Sequence, residues 1–338
     1  MRKFILLLYC YCFFAVGCNA QTESDSKTVD AGVPTPCPQL KELRRYGGRA
    51  TLDLTIRDDK GFLVDEVQGG LGCWKGTKDK AQSDEEGHLT LSATAFVDGN
   101  YALNKDGYYT TFGVFTFEAP DKPSGFFERR CWKPIVREMV IKKKRNPIPM
   151  YARTWCAKVP VYEQPIGLDL RIVDWVKPYG KGEVADVYVT IHMGERTTLG
   201  RTRKTATSVT FDFPNAFNGV QVCEADRWSE FISSYHIDVH QPFLPRLTLD
   251  CTTANDRWLP HNQYLTFRIR SEVSADGTLQ QCYYGKIYPP FNISEKKIDV
   301  GAIYLNPTPN DTNLEFDPKQ NLVPARTYEE ERVRSRMP

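Results

Sequence analysis

The chain has 338 residues, 41% of them hydrophobic and 25% charged, with 23 glycines and 22 prolines, which is enough for two ordinary domains. That balance excludes collagen, coiled coil and wholesale disorder. Lys+Arg total 44 against 42 for Asp+Glu, and loss of Arg2 and Lys3 with a leader brings the two to parity, so net charge draws the protein neither to nucleic acid nor to an anionic membrane.

Arg2 and Lys3 precede residues 4–16, which are apolar apart from tyrosines and cysteines, and Gly17, Cys18 and Ala20 follow. This is the pattern of an export signal. A spanning helix needs about 20 apolar residues, and no later segment comes close. The tetrapeptide Ala15-Val16-Gly17-Cys18 resembles the bacterial lipoprotein box, in which the thiol is acylated and becomes the new N-terminus, although Ala15 stands where Leu is usual. Cys18 is therefore expected to carry lipid and to hold the protein at a bacterial envelope. The competing reading is cleavage after Ala20 and release of a soluble secreted protein. Residues 19–45 read as a flexible tether, polar and with Pro34, Pro36 and Pro38 late in the tract. Membrane contact through the lipid anchor alone is the expectation.

Cys10 and Cys12 leave with the signal, so beyond Cys18 seven cysteines remain: Cys37, Cys73, Cys131, Cys156, Cys223, Cys251 and Cys282. None forms Cys-x-x-Cys, which removes zinc ribbons and thioredoxin-type redox motifs. In an exported chain, structural disulfides joining strands are expected, with one thiol left over. A buried cysteine acting as a small hydrophobe is the alternative for any one of them.

In chain order, residues 51–56 alternate apolar and polar side chains with period two, and Asp58-Asp59-Lys60-Gly61 supplies turn chemistry. Strands are predicted at 69–75 and 88–96, separated by a turn at 84–87. A turn at 98–100, a hairpin over 108–118 and a strand at 136–142 complete this half. Asp58 to Gly61, then Ser83-Asp84-x-x-Gly87-His88-Leu89, then Lys105-Asp106-Gly107-Tyr108-Tyr109 resemble the carboxypeptidase regulatory-like, or transthyretin-like, domain. The resemblance covers about 100 residues, here 46–150. It implies a β-sandwich and, for most of that family, a non-catalytic module attached to exported or surface proteins.

The polar run 142–145 and the prolines at 147 and 149 mark a junction. Beyond it, strands are predicted at 168–173, 184–192, 205–213, 264–270, 279–287 and 298–305, giving a second sandwich over 151–322. Residues 228–233 form the one short candidate helix, and 323–338 are a polar tail. The expected fold class is thus all-β, two antiparallel β-sandwich domains, the first transthyretin-like. The whole chain also resembles a set of uncharacterised exported bacterial lipoproteins that carry RNPIPMYA, DWVKPYGKG, YGKIY and YLNPTPNDTNLEFD in this order. Here those strings occupy 145–152, 174–182, 284–288 and 304–317. No activity follows from that resemblance.

Four groups carry candidate chemistry. His192 and Glu195 have the His-x-x-Glu spacing of a zinc site but lack the surrounding α/β context, and on a strand they face different ways. His236, Asp238 and His240 share one side of a strand and make a metal triad on paper, against the simpler reading of a solvated polar face. The oxygen-rich loop 306–317 suits a hard cation such as Ca²⁺, against Asx-turns that use the same oxygens. Trp175 and Tyr179 join two aromatics to turn glycines and would stack on a sugar if exposed, whereas burial of Trp175 is the simpler expectation. The basic runs 142–145 and 201–204 read as solvated charge. Together these observations lead to an envelope-anchored, non-enzymatic binding lipoprotein with no cofactor and no resident metal, whose partner is an extracellular glycan or protein. The alternative is a metal-dependent hydrolase or lyase acting on an extracellular polymer through His236, Asp238 and His240 or through His192 and Glu195.

Overall fold

The computed structural model describes residues 38–120, 131–198, 201–225, 233–253, 257–260 and 262–323. The expected signal, Cys18, Cys37, most of the expected helix at 228–233 and the tail beyond 323 lie outside the described residues. Ser233, the last position of that expected helix, is not helical.

The described chain opens on its one helix, α1 (Pro38–Tyr46), where the tail of the tether was expected. Leu43 is buried in the first core with Leu40 packed against it, which supplies the apolar face that so short a helix needs. Gly47 ends it at φ +76°, donating its N–H to the Leu43 carbonyl at 2.9 Å.

Seven strands follow: β1 (Gly48–Asp58), β2 (Gln68–Cys73), β3 (Lys78–Gln82), β4 (His88–Ala95), β5 (Asp98–Asn104), β6 (Thr111–Thr116) and β7 (Ile135–Ile141). They form two sheets of order β4-β1-β7 and β3-β2-β5-β6. Alternation along β1 turns Ala50, Leu52, Leu54 and Ile56 inward, and register places Leu52 opposite Leu91 and Leu54 opposite Leu89. The Asp98-Gly99-Asn100 tripeptide, expected as a turn, is the start of β5. A Cβ on Gly99 would lie 2.8 Å from Leu71, so glycine serves close packing there. β7 runs parallel to β1, because the connection from β6 crosses from one sheet to the other.

The second half contains β8 (Ile148–Lys158), β9 (Ile166–Asp169), β10 (Asp174–Trp175), β11 (Val187–Thr198), β12 (Arg201–Asp212), β13 (Gly219–Glu224), β14 (Arg246–Asp250), β15 (Gln263–Val273), β16 (Leu279–Ile293), β17 (Lys297–Leu305) and β18 (Phe316–Asn321). Their sheets have the orders β10-β9-β11-β12-β14 and β13-β15-β16-β17-β8-β18. Between them lies an apolar core that includes Trp155, Leu168, Trp175, Val189, Phe211, Phe267 and Ile303. The chain is all-β apart from α1 among the described residues, built as two sandwiches. Strand β8 begins at Ile148 and passes through the expected boundary at 150, so the second sandwich begins within the proline-marked junction.

The direction of β1 orients the molecule. Its Gly48 end lies beside α1, Ala95 and Cys131, and its Asp58 end lies beside Ile141 and the approach to the second sandwich. Eleven residues at ~3.3 Å each separate the two poles by roughly 35 Å. No disulfide joins any two of the described cysteines, contrary to the sequence expectation. Cys73 packs in the first core, Cys251 in the second and Cys282 in a small cluster with Ile237, Tyr284 and Leu314. Cys73 serves as a small apolar side chain, whereas Cys251 Sγ accepts from Arg196 Nη1 at 3.2 Å and Cys282 Sγ donates to Asn310 Oδ1 at 3.5 Å.

Candidate functional site

The sequence-predicted pairs do not assemble. His192 Nδ1 lies 2.8 Å from Glu163, whose other oxygen accepts the Met193 N–H at 2.6 Å. That N–H and the imidazole hold the Glu163 carboxyl below its ordinary pKa. Glu195 instead sits opposite Lys204 on β12. His236 occupies a single bridge to Asn313, not a strand, and its Nδ1 meets Thr312 Oγ1 at 3.2 Å. Asp238 turns its carboxylate onto the His240 N–H at 3.0 Å, an Asx-turn that takes it out of any triad. Among the described residues no cluster of three His, Cys, Asp or Glu side chains has metal-binding geometry.

Trp175 is 2% exposed, packed edge-on against Trp155 with centroids 4.8 Å apart, and its Nε1 donates to the Lys158 carbonyl at 2.9 Å. A ring so enclosed offers no face to a sugar, which corrects the exposed placement that stacking requires. Only Tyr179, 48% exposed on the turn that follows, faces solvent. Nearby, Arg270 bridges Asp186 at 2.8 Å and Asp169 at 3.0 Å. Asp169 also accepts the backbone N–H groups of Arg171, Ile172, Glu183 and Val184. This buried ionic knot pins the loops on either side of β10, and its lone pairs are spent on the fold.

The loop 306–317 likewise consumes its own oxygens. Asn306 Oδ1 accepts the Thr308 N–H at 2.9 Å, Asp311 accepts Asn313 at 3.0 Å, and Asn313 accepts Glu315 at 2.9 Å. Its purpose lies at its end. Glu315, 1% exposed, accepts Tyr109 Oη at 2.8 Å from the first sandwich and the N–H groups of Arg145 and Asn146 at 2.9 and 2.6 Å from the junction. Around it the basic run 142–145 keeps Lys143, Lys144 and Arg145 exposed, as expected of solvated charge, while three of its cations also lie over aromatic rings. The Lys142 ammonium is 5.3 Å and the Arg145 guanidinium 3.9 Å from the Tyr235 centroid, and Lys144 is 5.7 Å from that of Tyr109. Arg145 also pairs with Asp59 of the first sandwich.

Beneath this seam sits Lys286, fully buried, 5.2 and 5.1 Å from the Tyr288 and Tyr304 centroids, with one long hydrogen bond of 3.4 Å to Ser233 Oγ. Burial pushes its pKa well down and neighbouring Lys142 adds to that, while Glu315 opposes it. Burial also raises the Tyr288 and Tyr109 hydroxyls. Three of the four recurring strings noted in the sequence meet here, contributing Arg145 and Asn146, Lys286 and Tyr288, and Tyr304 and Glu315. Sequence reasoning missed the seam because its members lie up to 206 residues apart, as Tyr109 and Glu315 do. The seam is a closed joint between sandwiches.

An open site exists elsewhere. A groove of about 490 Å³ runs between β6 and β7 on the first sandwich, lined by Tyr101, Val114, Phe115, Lys133, Val136 and Arg137 among others. Each of the two strands is the last of its sheet. Val114 is 54% and Val136 73% exposed, while Tyr101 and Phe115 form its buried floor. The periodicity that placed β7 carried this signal, since Val136 falls on the outward side of an otherwise amphipathic strand.

No known protein family matches the chain, and no curated protein matches it. Among solved structures it is similar to chlorocatechol 1,2-dioxygenase from Pseudomonas putida, at 13% identity over 30% of this chain and 62% of that one, with a TM-score of 0.23. It is also similar to BcpA, the major pilin subunit of Bacillus cereus, at 13% identity over 79% and 99% of the two chains, with a TM-score of 0.21. At those scores neither likeness bears on what this protein does.

Proposed function

We propose that this chain is a non-enzymatic interaction module, held at a bacterial envelope through lipid on Cys18, that binds an extended peptide segment of an extracellular protein in the groove between β6 and β7. The observation that supports this reading is the groove itself, with two exposed valines over an aromatic floor and a sheet edge on either side. An extended segment laid along a sheet edge gains main-chain hydrogen bonds, and pockets for alternate side chains give it selectivity. The polar clusters that would suggest catalysis are occupied in holding loops and sandwiches together. A glycan remains the other extracellular partner class, but its proposed platform lacks Trp175.

Selection of a random peptide library against the purified chain, beside a glycan array, tests the proposal. Peptides that bind the wild type and lose at least about tenfold in affinity to Val114→Lys or Val136→Lys support it. Glycan binding indifferent to both substitutions contradicts it. Both valines are largely exposed, so neither change endangers the fold.

A further inference from the structure

The pole of the first sandwich farthest from the second one exposes two aromatic rings side by side, whereas Phe62, 67% exposed, lies at the Asp58 end. Trp74, on the β2–β3 turn, is 77% exposed, and Tyr46, at the end of α1, is 61% exposed. Both lie beside Thr94 at the end of β4. Gly47, next to Tyr46, packs on the Thr94 methyl, and Gly76, two residues beyond Trp74, packs on the Thr94 carbonyl. Thr77 also donates its N–H to that carbonyl at 3.2 Å. Neither ring is held by the core, and each carries a cation over its face: Arg45 at 5.1 Å from the Tyr46 centroid and Lys75 at 4.5 Å from that of Trp74.

The charge around them is predominantly positive. Lys41, Arg44, Arg45 and Arg49 are exposed from α1 and the start of β1, and Lys75 and Lys78 from the adjoining hairpin. Glu42 on α1 and Asp98 at the start of β5, whose neighbour Gly99 pairs with Cys73, are exposed acids beside them, fewer than the cations. Asp79, half-buried, turns its carboxylate inward to the Ser92 N–H at 2.6 Å. Net charge near zero for the whole chain thus conceals a cationic, aromatic cap. Trp and Tyr are the side chains favoured at a membrane–water interface, and basic residues beside them are drawn to anionic headgroups.

We infer that this pole, formed by Tyr46 and Trp74 with the cations of α1 and the β2–β3 turn, docks on the anionic surface of a lipid bilayer. The inference rests on the proposed envelope anchoring, since a tether running from residue 19 delivers α1 to the membrane. A polar linker of about 20 residues spans roughly 25 Å on average. Docked in this way, the molecule stands on its first sandwich, and the second lies beyond a strand length of roughly 35 Å, away from the headgroups.

The test uses the mature chain from Asn19 onward, unacylated, sedimented with vesicles of phosphatidylcholine alone or with added phosphatidylglycerol. Sedimentation with the anionic vesicles only, weakened about tenfold in Trp74→Ala/Tyr46→Ala and in Arg44→Gln/Arg45→Gln and abolished at high salt, is the expected result. No sedimentation, or sedimentation undiminished in both double variants, overturns the inference, as does binding of Trp74 to an insoluble glycan without vesicle binding. Unchanged melting of the variants shows that their folds are intact. Labelling of cells with palmitate, with and without Cys18→Ala, separates the two ideas. Loss of label on Cys18→Ala together with failed vesicle binding sinks the docking surface alone. Vesicle binding with a Cys18 that takes no label sinks the anchor alone.

Discussion

Lys286 is an amine with no exposure, beside two tyrosine rings and with a long hydrogen bond to Ser233 Oγ. Its folded pKa lies below the ordinary 10.5, so between those two values the unfolded chain keeps a proton that the folded chain has released. Stability therefore rises with pH across that window and is lost as pH falls through the folded value. Lys286→Met fills the same volume without the desolvation cost and should stabilise the protein on the order of 1–4 kcal/mol at neutral pH. Urea titrations of both proteins from pH 6 to about 9.5, below the ordinary tyrosine range, should show the wild type catching up with the variant as pH rises. A pH-independent difference, or a variant less stable throughout, would refute the account of this residue. The sequence reading noted Lys286 only inside YGKIY, because nothing local distinguishes a buried lysine from a solvated one on a strand.

At the scale of elements, the strands read best from sequence are those with one buried face. β1 and β4 alternate cleanly, β7, β12, β15 and β17 over part of their length, and all six were expected near their observed positions. Those missed include polar edge or short strands, and also two internal ones: β5, whose Asp-Gly-Asn start reads as a turn, and β8, whose start lies in the proline-marked junction. β3 reads Lys-Asp-Lys-Ala-Gln with no side chain fully buried, and β14 and β18 sit next to turns that mask them. Helix α1 was missed for a related reason, since one buried leucine in nine residues leaves little apolar period to detect. That leucine carries the helix nonetheless. Leu43→Ala should cost about 2–5 kcal/mol by removing a fully buried side chain, measured as a lower urea midpoint with an unchanged slope. A cost below about 0.5 kcal/mol, the range of surface substitutions, would show that α1 is not docked on the first sandwich.

For the whole molecule, the seam decides whether two sandwiches behave as one body. Glu315 receives Tyr109 from one side and the Arg145 and Asn146 backbone from the junction. Removing it strands the buried Tyr109 hydroxyl and two part-buried N–H groups, at a cost of about 1–3 kcal/mol. Calorimetry should give one unfolding transition for the wild type and two for Glu315→Ala, the sandwiches melting independently. A single transition in the variant would mean that apolar contact alone couples them. The junction at 142–150 was visible in the sequence from its prolines and charge. Its character as a packed joint was not, because cation-over-ring and carboxylate contacts link residues that no sequence pattern pairs. The candidate site divides in the same way: Val136 was within a predicted strand, whereas the groove depends on how β6 and β7 face each other across two sheets.

If the surface groove and not the interior clusters is where this protein meets its partner, amide hydrogen exchange of the chain with a selected peptide bound locates the contact directly. Slowed exchange confined to residues 113–116 and 135–138 is the result the account predicts. Slowed exchange at 174–182 or 306–317, with the β6 and β7 edges unchanged, would contradict it.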